Sequence, residues 1–208
     1  MAYTLLDVSN NNHVFDFKRV KAAGIVGVWL KVSEGATFAD QDWVGYARRA
    51  RAAGLRVGGY HYARPSGPDA KAEAQWFCKL LGKIERRDLR PVLDLEVNDG
   101  AKNLEIWSRE WNAEVWKLSG TLPLFYSYPY FIRNKMKAKG PIGAGLWLAS
   151  YGLNDGQRWP YVAPAPWKKA VAHQYTSNGS VKGIEGRVDM NYAATLRPLL
   201  AHPILGLL

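Results

Sequence analysis

Short β-like runs alternate with helix-like segments along most of the 208-residue chain, and this alternation is the strongest constraint on its fold. The first four helix-like segments each end near a glycine, at Gly24, Gly54, Gly82 and Gly120. Glycine is typical just beyond a helix because it adopts the left-handed capping conformation at little cost. Strands that alternate with helices form parallel sheets with right-handed crossovers, so the pattern predicts an α/β fold.

Eight segments have the apolar, β-branched composition of buried strands. They span residues 4–8, 25–32, 56–62, 90–96, 124–127, 146–150, 170–175 and 186–189. Helical patterns span residues 15–23, 42–53, 68–81 and 103–118. Residues 154–168 contain three prolines and are predicted to form a long loop, and the apolar segment 199–208 is expected to pack as a terminal helix or under the barrel. We predict an irregular, TIM-like (β/α) barrel of eight mostly parallel strands, with helices depleted in the second half.

The composition excludes several classes of protein. Hydrophobic residues make up 48% of the chain and charged residues 22%, as in a folded globular domain rather than a disordered one. A single cysteine, Cys78, excludes an internal disulfide and a cysteine-based metal cluster. The four histidines form no close metal-binding pair, and the chain contains no phosphate-binding loop or nucleophile elbow. We therefore expect neither a metal nor a cofactor.

The net charge of +10 suggests an anionic partner, which could be a nucleic acid, a membrane surface or a cell-wall polymer. Acidic residues nevertheless fall at or just after the ends of four predicted strands. They are Asp7, Glu34, Asp94, Glu96 and Asp189. Parallel barrel strands end at one face, so these carboxylates are expected to lie together there. Such an acidic rim would repel the phosphates of a nucleic acid.

Asp94 and Glu96 are the most informative pair of acids. Strand residues two apart lie on the same side, with α-carbons roughly 6.6 Å apart. Two sheltered carboxyls at that spacing resist simultaneous ionisation, so one of their pKa values should rise. A carboxyl that stays protonated near neutral pH can act as a general acid, as glycosidic bond cleavage requires.

Aromatic residues also favour a carbohydrate ligand, because flat rings stack on sugar faces and tyrosine hydroxyls form directional hydrogen bonds. The chain contains nine tryptophans and eleven tyrosines. Those expected near the rim are Tyr60, Tyr62, Tyr126, Tyr128, Tyr130, Trp147, Tyr151 and Tyr175. Most of the remaining tryptophans are expected in the core, as are Cys78, His61 and His173.

Eight motifs, in chain order, resemble those of the family 25 glycoside hydrolases, lysozymes that are common among phage endolysins. They are found at residues 7–9, 20–24, 31–35, 52–63, 91–96, 146–151, 174–176 and 188–191. The resemblance implies an N-acetylmuramidase that cuts the β-1,4 bond between N-acetylmuramic acid and N-acetylglucosamine in bacterial peptidoglycan. Glu96 would be the general acid, Asp94 would orient the acetamido group of the sugar, and Asp7 and Asp189 would complete the acidic floor.

The resemblance also suggests residues for substrate contact or for support of the catalytic groups. They are Glu34, Tyr62, Tyr126, Trp147, Tyr151, Gln174 and Asn191. Both an inverting reaction and one assisted by the substrate's own acetamido group are compatible with these residues.

The expected organisation is a single catalytic barrel domain over residues 1–208, without a separate cell-wall-binding domain. Peptidoglycan is the expected partner of a monomer that neither inserts into membranes nor binds nucleic acid. No export signal is recognisable, so the expected location is the host cytoplasm until a separate pore protein gives access to the wall. The alternative is a non-catalytic glycan-binding barrel. A related chitinase is disfavoured, because Val92 stands where an earlier acid would be expected.

Overall fold

The computed structural model describes residues 2–66, 70–85 and 87–201, which contain a closed barrel of eight strands with helices outside it. The strands in chain order are β1 (Tyr3–Val8), β2 (His13–Val14), β3 (Ile25–Glu34), β4 (Phe38–Ala39), β5 (Arg56–Tyr62), β6 (Val92–Asp94), β7 (Leu124–Ser127), β8 (Leu146–Ala149), β9 (Ala170–Gly179), β10 (Ile184–Glu185) and β11 (Val188–Ala193). The barrel order is β1-β11-β9-β8-β7-β6-β5-β3, closed by pairing of β3 with β1. The predicted irregular α/β barrel is confirmed.

The last barrel strand runs in the opposite direction from the other seven. β11 pairs antiparallel with both β9 and β1, whereas all other neighbours around the barrel are parallel. The placement of Asp189 at the end of a parallel strand was therefore wrong, because Asp189 lies near the start of β11. Only residues 180–187 connect β9 to β11, too few for the crossover that parallel strands need. The reversed direction still brings Asp189 to the same rim, directly opposite Asp7.

The longer helices follow the strands of the first half. They are α1 (Phe17–Ala22), α2 (Trp43–Ala52), α3 (Ala70–Leu81) and α4 (Leu104–Ser119). The side chain of Asn103 accepts a hydrogen bond from the backbone N–H of Ile106 and caps the start of α4, and Gly120 ends it at a φ of 69°. The predicted start of the third helix, at Pro68, lies outside the described residues.

The second half contains shorter helical elements. α5 (Pro129–Phe131) continues into a π-helical turn, Ile132–Met136, and a 3₁₀ turn spans Arg197–Leu199. Residues 154–168 form neither helix nor strand, as predicted for a long loop. Within the described ranges, no helix has the length and apolar character needed to cross a bilayer.

Stacked tryptophans fill the inside of the barrel. The ring centroids of Trp29 and Trp147 are 4.3 Å apart. Gly58 leaves room for this pair, because a Cβ at Gly58 would lie 2.4 Å from the Trp29 ring. Leu199 packs into the same inner cluster and is fully buried. The beginning of the apolar segment 199–208 therefore packs under the barrel, whereas residues 202–208 lie outside the described part of the chain.

Candidate active site

The registers of neighbouring strands place side chains in one row around the inner wall. Tyr62 on β5 pairs with Asp94 on β6, which pairs with Tyr126 on β7, and Tyr126 pairs with Trp147 on β8. Paired residues point to the same side of a sheet, so these four side chains face one space. These four side chains lie near the rim that is formed by the carboxyl ends of the parallel strands.

This space is a cavity of about 310 Å³. Its lining residues are Asp7, Ser9, Asn11, Lys31, Tyr60, Tyr62, Asp94, Glu96, Tyr126, Trp147, Tyr151, Gln174 and Asp189. All four predicted catalytic acids and five of the seven predicted substrate-binding or supporting residues are among them. Glu34 and Asn191 are not, although each contacts a residue that is. Of the other aromatics expected near the rim, Tyr60 lines the cavity, whereas Tyr128, Tyr130 and Tyr175 do not.

Asp94 and Glu96 are adjacent in the cavity, where β6 ends. Asp94 is buried and Glu96 is partly exposed, while Leu95 between them is fully buried in the core cluster outside the barrel. The two carboxyl groups hydrogen bond to each other. Burial raises the pKa of Asp94 well above its ordinary value, and the charge of Glu96 adds to that shift. Burial likewise raises the pKa of Glu96; the hydrogen bond with Asp94 opposes that shift, and the charge of Asp189 adds to it.

Asp7 is held by two side-chain amides. Gln174 donates from Nε2 to both carboxylate oxygens of Asp7, at 2.9 and 3.0 Å, and Asn191 donates from Nδ2 to Oδ2 at 2.6 Å. Asn191 also accepts from the indole nitrogen of Trp147 at 2.6 Å, so this fully buried amide supports the cavity from behind. Burial raises the pKa of Asp7 well above its usual range, and repulsion from Asp189 contributes to the shift.

The amide of Gln174 also orients two tyrosines. The hydroxyls of Tyr126 and Tyr151 donate to Oε1 of Gln174, at 2.8 and 2.5 Å. Burial raises the pKa of Tyr151 well above its ordinary value and that of Tyr62 to about 12, so both rings keep their hydroxyl protons at neutral pH. Burial also raises the pKa of Asp189, to about 6.

Lys31 places an ammonium group among these acids, and sequence reasoning did not select it. Its Nζ donates to Glu34 at 2.6 Å and lies 5.2 Å from the centre of the Tyr62 ring. Glu34 also pairs with Arg64, at 2.7 Å, outside the cavity lining. Burial alone would raise the pKa of Glu34, but the contacts with Lys31 and Arg64 outweigh it and lower that pKa. Side chains two residues apart on a strand point to the same face. The inward position of Trp29 on β3 could therefore have been used to predict that Lys31 also points inward.

Two histidines expected in the core are buried there. His61 is fully buried, with its ring nitrogens 2.8 Å from Ser33 and 2.8 Å from Glu73, and its ring stacks on Trp111. His173 is 2.7 Å from the carbonyl oxygen of Ser150 and is also buried. In the ranges that the structure describes, no group of three or more His, Cys, Asp or Glu side chains is arranged to hold a metal ion.

Comparison with known proteins identifies relatives of the whole barrel. The chain is 28% identical over 187 residues to the autolytic lysozyme of Clostridium acetobutylicum, covering 89% of this chain and 54% of that protein. It is 28% identical over 202 residues to lysozyme M1 of Streptomyces globisporus, covering 89% and 66%. The chain thus spans between half and two thirds of the length of these curated relatives.

Solved structures have the same barrel. The lysozyme of Streptomyces coelicolor is similar at a TM-score of 0.81 and 26% identity, over 93% of this chain and 92% of that one. A family GH25 lysozyme from Aspergillus fumigatus is similar at a TM-score of 0.81 and 25% identity, over 94% and 95%. The family model for glycosyl hydrolases family 25 matches residues 6–184. The chain therefore belongs to glycosyl hydrolases family 25.

Proposed function

We propose that this chain hydrolyses peptidoglycan as an N-acetylmuramidase, cutting the β-1,4 bond between N-acetylmuramic acid and N-acetylglucosamine. The main support is the position of Glu96, which is partly exposed in the same cavity as Asp94, Asp7 and Asp189. Family membership and the lysozymes among its relatives point to the same substrate.

In this proposal Glu96 is the general acid. Burial raises the pKa of both Asp94 and Glu96, and two neighbouring carboxyls resist simultaneous ionisation, so the pair holds a proton at a pH where isolated carboxyls would be ionised. Glu96 is the more exposed member of the pair, so it is the one placed to pass the proton to the departing glycosidic oxygen. The carbon–oxygen bond breaks, and water supplies the hydroxyl group of the new reducing end.

Asp94 is proposed to orient the acetamido group of the sugar. Its Oδ1 is buried and has no hydrogen-bond partner among the described residues, so it is available to accept from an amide N–H of the substrate. Asp189, with a pKa of about 6, is ionised at pH 7 and places negative charge near the developing positive charge of the oxocarbenium-like transition state, and Asp7 completes the acidic floor. Tyr62 and Tyr126 flank Asp94 in register and provide ring faces for the sugar.

Glu96→Gln tests the assignment, because the amide has nearly the same shape and no transferable proton. We expect it to abolish the release of reducing ends from purified peptidoglycan while the thermal midpoint changes little. Glu110→Gln, on the exposed face of α4, is the matched control and should retain activity. Mass spectrometry of the muropeptides identifies the bond cut by the unmodified chain.

Wild-type-like hydrolysis by Glu96→Gln would exclude Glu96 as the acid. Binding of the unmodified chain to walls without any product would favour the alternative, a non-catalytic glycan-binding barrel.

A further inference from the structure

A long stretch of the chain beside the cavity carries only positive charge. Residues 115–154 contain no aspartate or glutamate, and their cationic side chains are Lys117, Arg133, Lys135, Lys137 and Lys139. The last four alternate with uncharged residues, and they are exposed. We call Arg133, Lys135, Lys137 and Lys139 the basic ridge.

The backbone of the basic ridge is held in place by buried anchors. Ile132 and Met136 point into the core and are 1% and 5% exposed. The π-helical turn between them ends where the N–H of Lys137 donates to the carbonyl of Ile132 at 3.0 Å. Lys137 itself adopts a φ of 50°, in the left-handed region that ends the turn. The segment is thereby fixed with its cations directed away from the core.

Residues of helix α4 hold the backbone at the other end of the ridge and leave the charges of its side chains unpaired with the described acids. Glu105 accepts from the backbone N–H of Lys139 at 2.9 Å and pairs with Arg109 at 2.7 Å. Arg109 in turn donates to the carbonyl of Gly140 at 3.0 Å. Glu105, which contacts the ridge backbone, is therefore engaged by a backbone amide and by Arg109. No ridge side chain forms an ion pair with an acid of residues 2–66, 70–85 or 87–201.

The ridge adjoins the cavity through strand β7. Tyr126 on β7 lines the cavity beside Asp94, and the chain then passes through Tyr128 into α5 and the ridge. Tyr128, which is half-buried, directly precedes α5. The row of cations therefore begins only seven positions along the chain from Tyr126, a residue of the cavity wall.

We propose that the basic ridge binds the carboxylates of the peptide stems carried by the glycan strand in the cleft. The inference rests on the proposed function and deepens it, by adding the peptide to the recognised part of the substrate. Peptide stems are joined to the strand at regular intervals, so a strand held in the cleft brings its own carboxylates to the ridge. Exposed cations attract such anions over about 10 Å at 0.1 M salt.

The experiment compares two quadruple variants in the Glu96→Gln background, so that binding is measured without hydrolysis. The first changes Arg133, Lys135, Lys137 and Lys139 to Gln. The matched control changes one arginine and three lysines that are exposed elsewhere and have no ion pair with a described acid: Lys18, Lys21, Arg48 and Lys168. Both variants lose four charges. Thermal midpoints confirm folding, and Lys135→Gln/Lys139→Gln replaces the ridge variant if it does not fold.

Binding is measured by sedimentation with three preparations of purified sacculi: untreated, stripped of phosphate polymers, and with their carboxylates converted to amides. The ridge variant should bind untreated sacculi about tenfold more weakly than its parent at low salt, and the control less than threefold more weakly. The difference should persist on phosphate-stripped sacculi and vanish on amidated ones.

Equal weakening of both quadruple variants would overturn the proposal, because net charge alone would then explain binding. A difference that disappears on phosphate-stripped sacculi would also overturn it, in favour of a phosphate polymer. Release of reducing ends by the unmodified chain, measured on the same sacculi, tests the proposed function separately.

Discussion

The side-chain amide of Gln174 lies against the carboxylate of Asp7, with Nε2 at 2.9 Å from Oδ1 and 3.0 Å from Oδ2. Oε1 of the same amide accepts from Tyr126 and Tyr151. One uncharged group thus satisfies a buried carboxylate on one side and two hydroxyls on the other. A carboxylate at this position could accept from the tyrosines but could not donate to Asp7.

Gln174→Glu should therefore lower activity at least tenfold at neutral pH and destabilise the fold by about 2 kcal/mol, because Asp7 loses its donor and gains a like charge. Both defects should become smaller as the pH falls and the new carboxyl is protonated. Activity and thermal midpoints at pH 5 and pH 7 measure the effect. Gln157→Glu, in an exposed loop, is the control for added charge. A pH-independent defect would contradict this explanation.

Asp189 should make the protein less stable as the pH rises. Burial raises its pKa in the folded state from 3.8 to about 6, so the folded state binds the proton more tightly than the unfolded one. The contribution of this proton to the free energy of unfolding is fully present below about pH 4 and is lost as the pH rises through 6. Two pKa units correspond to at most about 3 kcal/mol.

Asp189→Asn should accordingly raise the thermal midpoint at pH 7 and leave it unchanged at pH 3.5, while activity is lost. Thermal unfolding across this pH range checks the expectation. Asp155→Asn is the control, since hydrogen bonds to Trp159 and Gln157 lower the pKa of that exposed carboxyl. If Asp189→Asn does not raise the thermal midpoint at pH 7, burial of the charged Asp189 carboxylate does not destabilise the fold.

Lys31 should set the pH range of activity. Its positive charge partly opposes the upward shift that burial imposes on the pKa of Asp94. Lys31→Met should move the pH profile of kcat/KM upward by roughly one unit. Glu34→Gln removes the carboxylate that pairs with Lys31 at 2.6 Å, so it should move the profile downward. Shifts in the same direction for both variants would argue against this electrostatic role.

His61 should support the fold without taking part in catalysis. It is fully buried between Ser33 and Glu73, on the side of β5 that faces the helices. Burial lowers its pKa, so the neutral ring is present at pH 7 and links both partners. His61→Ala leaves Glu73 buried without that partner and should cost about 3 kcal/mol in the free energy of unfolding.

The activity of the folded fraction of His61→Ala at low temperature should remain close to that of the parent chain. His13→Ala provides the comparison, because its exposed pair with Glu185 contributes little to stability. Lost activity in a variant shown to be fully folded would contradict a purely structural role.

The alternation of strand and helix in the sequence was sufficient to predict the barrel, but the direction of β11 was not readable from it. Residues 188–193 have the same alternating pattern whichever way the strand runs, and only the short connection from β9 excludes the parallel arrangement. Similarly, residues 90–96 read as one strand, whereas β6 ends at Asp94 and leaves Glu96 beyond it.

Parts of the site followed from simple rules and other parts did not. The two-residue spacing of Asp94 and Glu96 was enough to predict that they would be neighbours. Lys31 was overlooked because a lysine is ordinarily read as a surface residue. The contact between Gln174 and Asp7 joins residues 167 positions apart, and neither carries a local pattern that predicts it. Their placement beside each other depends on closure of the barrel.

The stacked indoles of Trp29 and Trp147 also determine how deep a ligand can reach. Trp147 lines the cavity, and Gly58 leaves no spare volume around Trp29 below it. The floor is consequently rigid, and shortening either ring would open a void beneath the acids rather than a usable pocket. Variants meant to accept larger ligands should therefore alter the surrounding loops rather than this aromatic base.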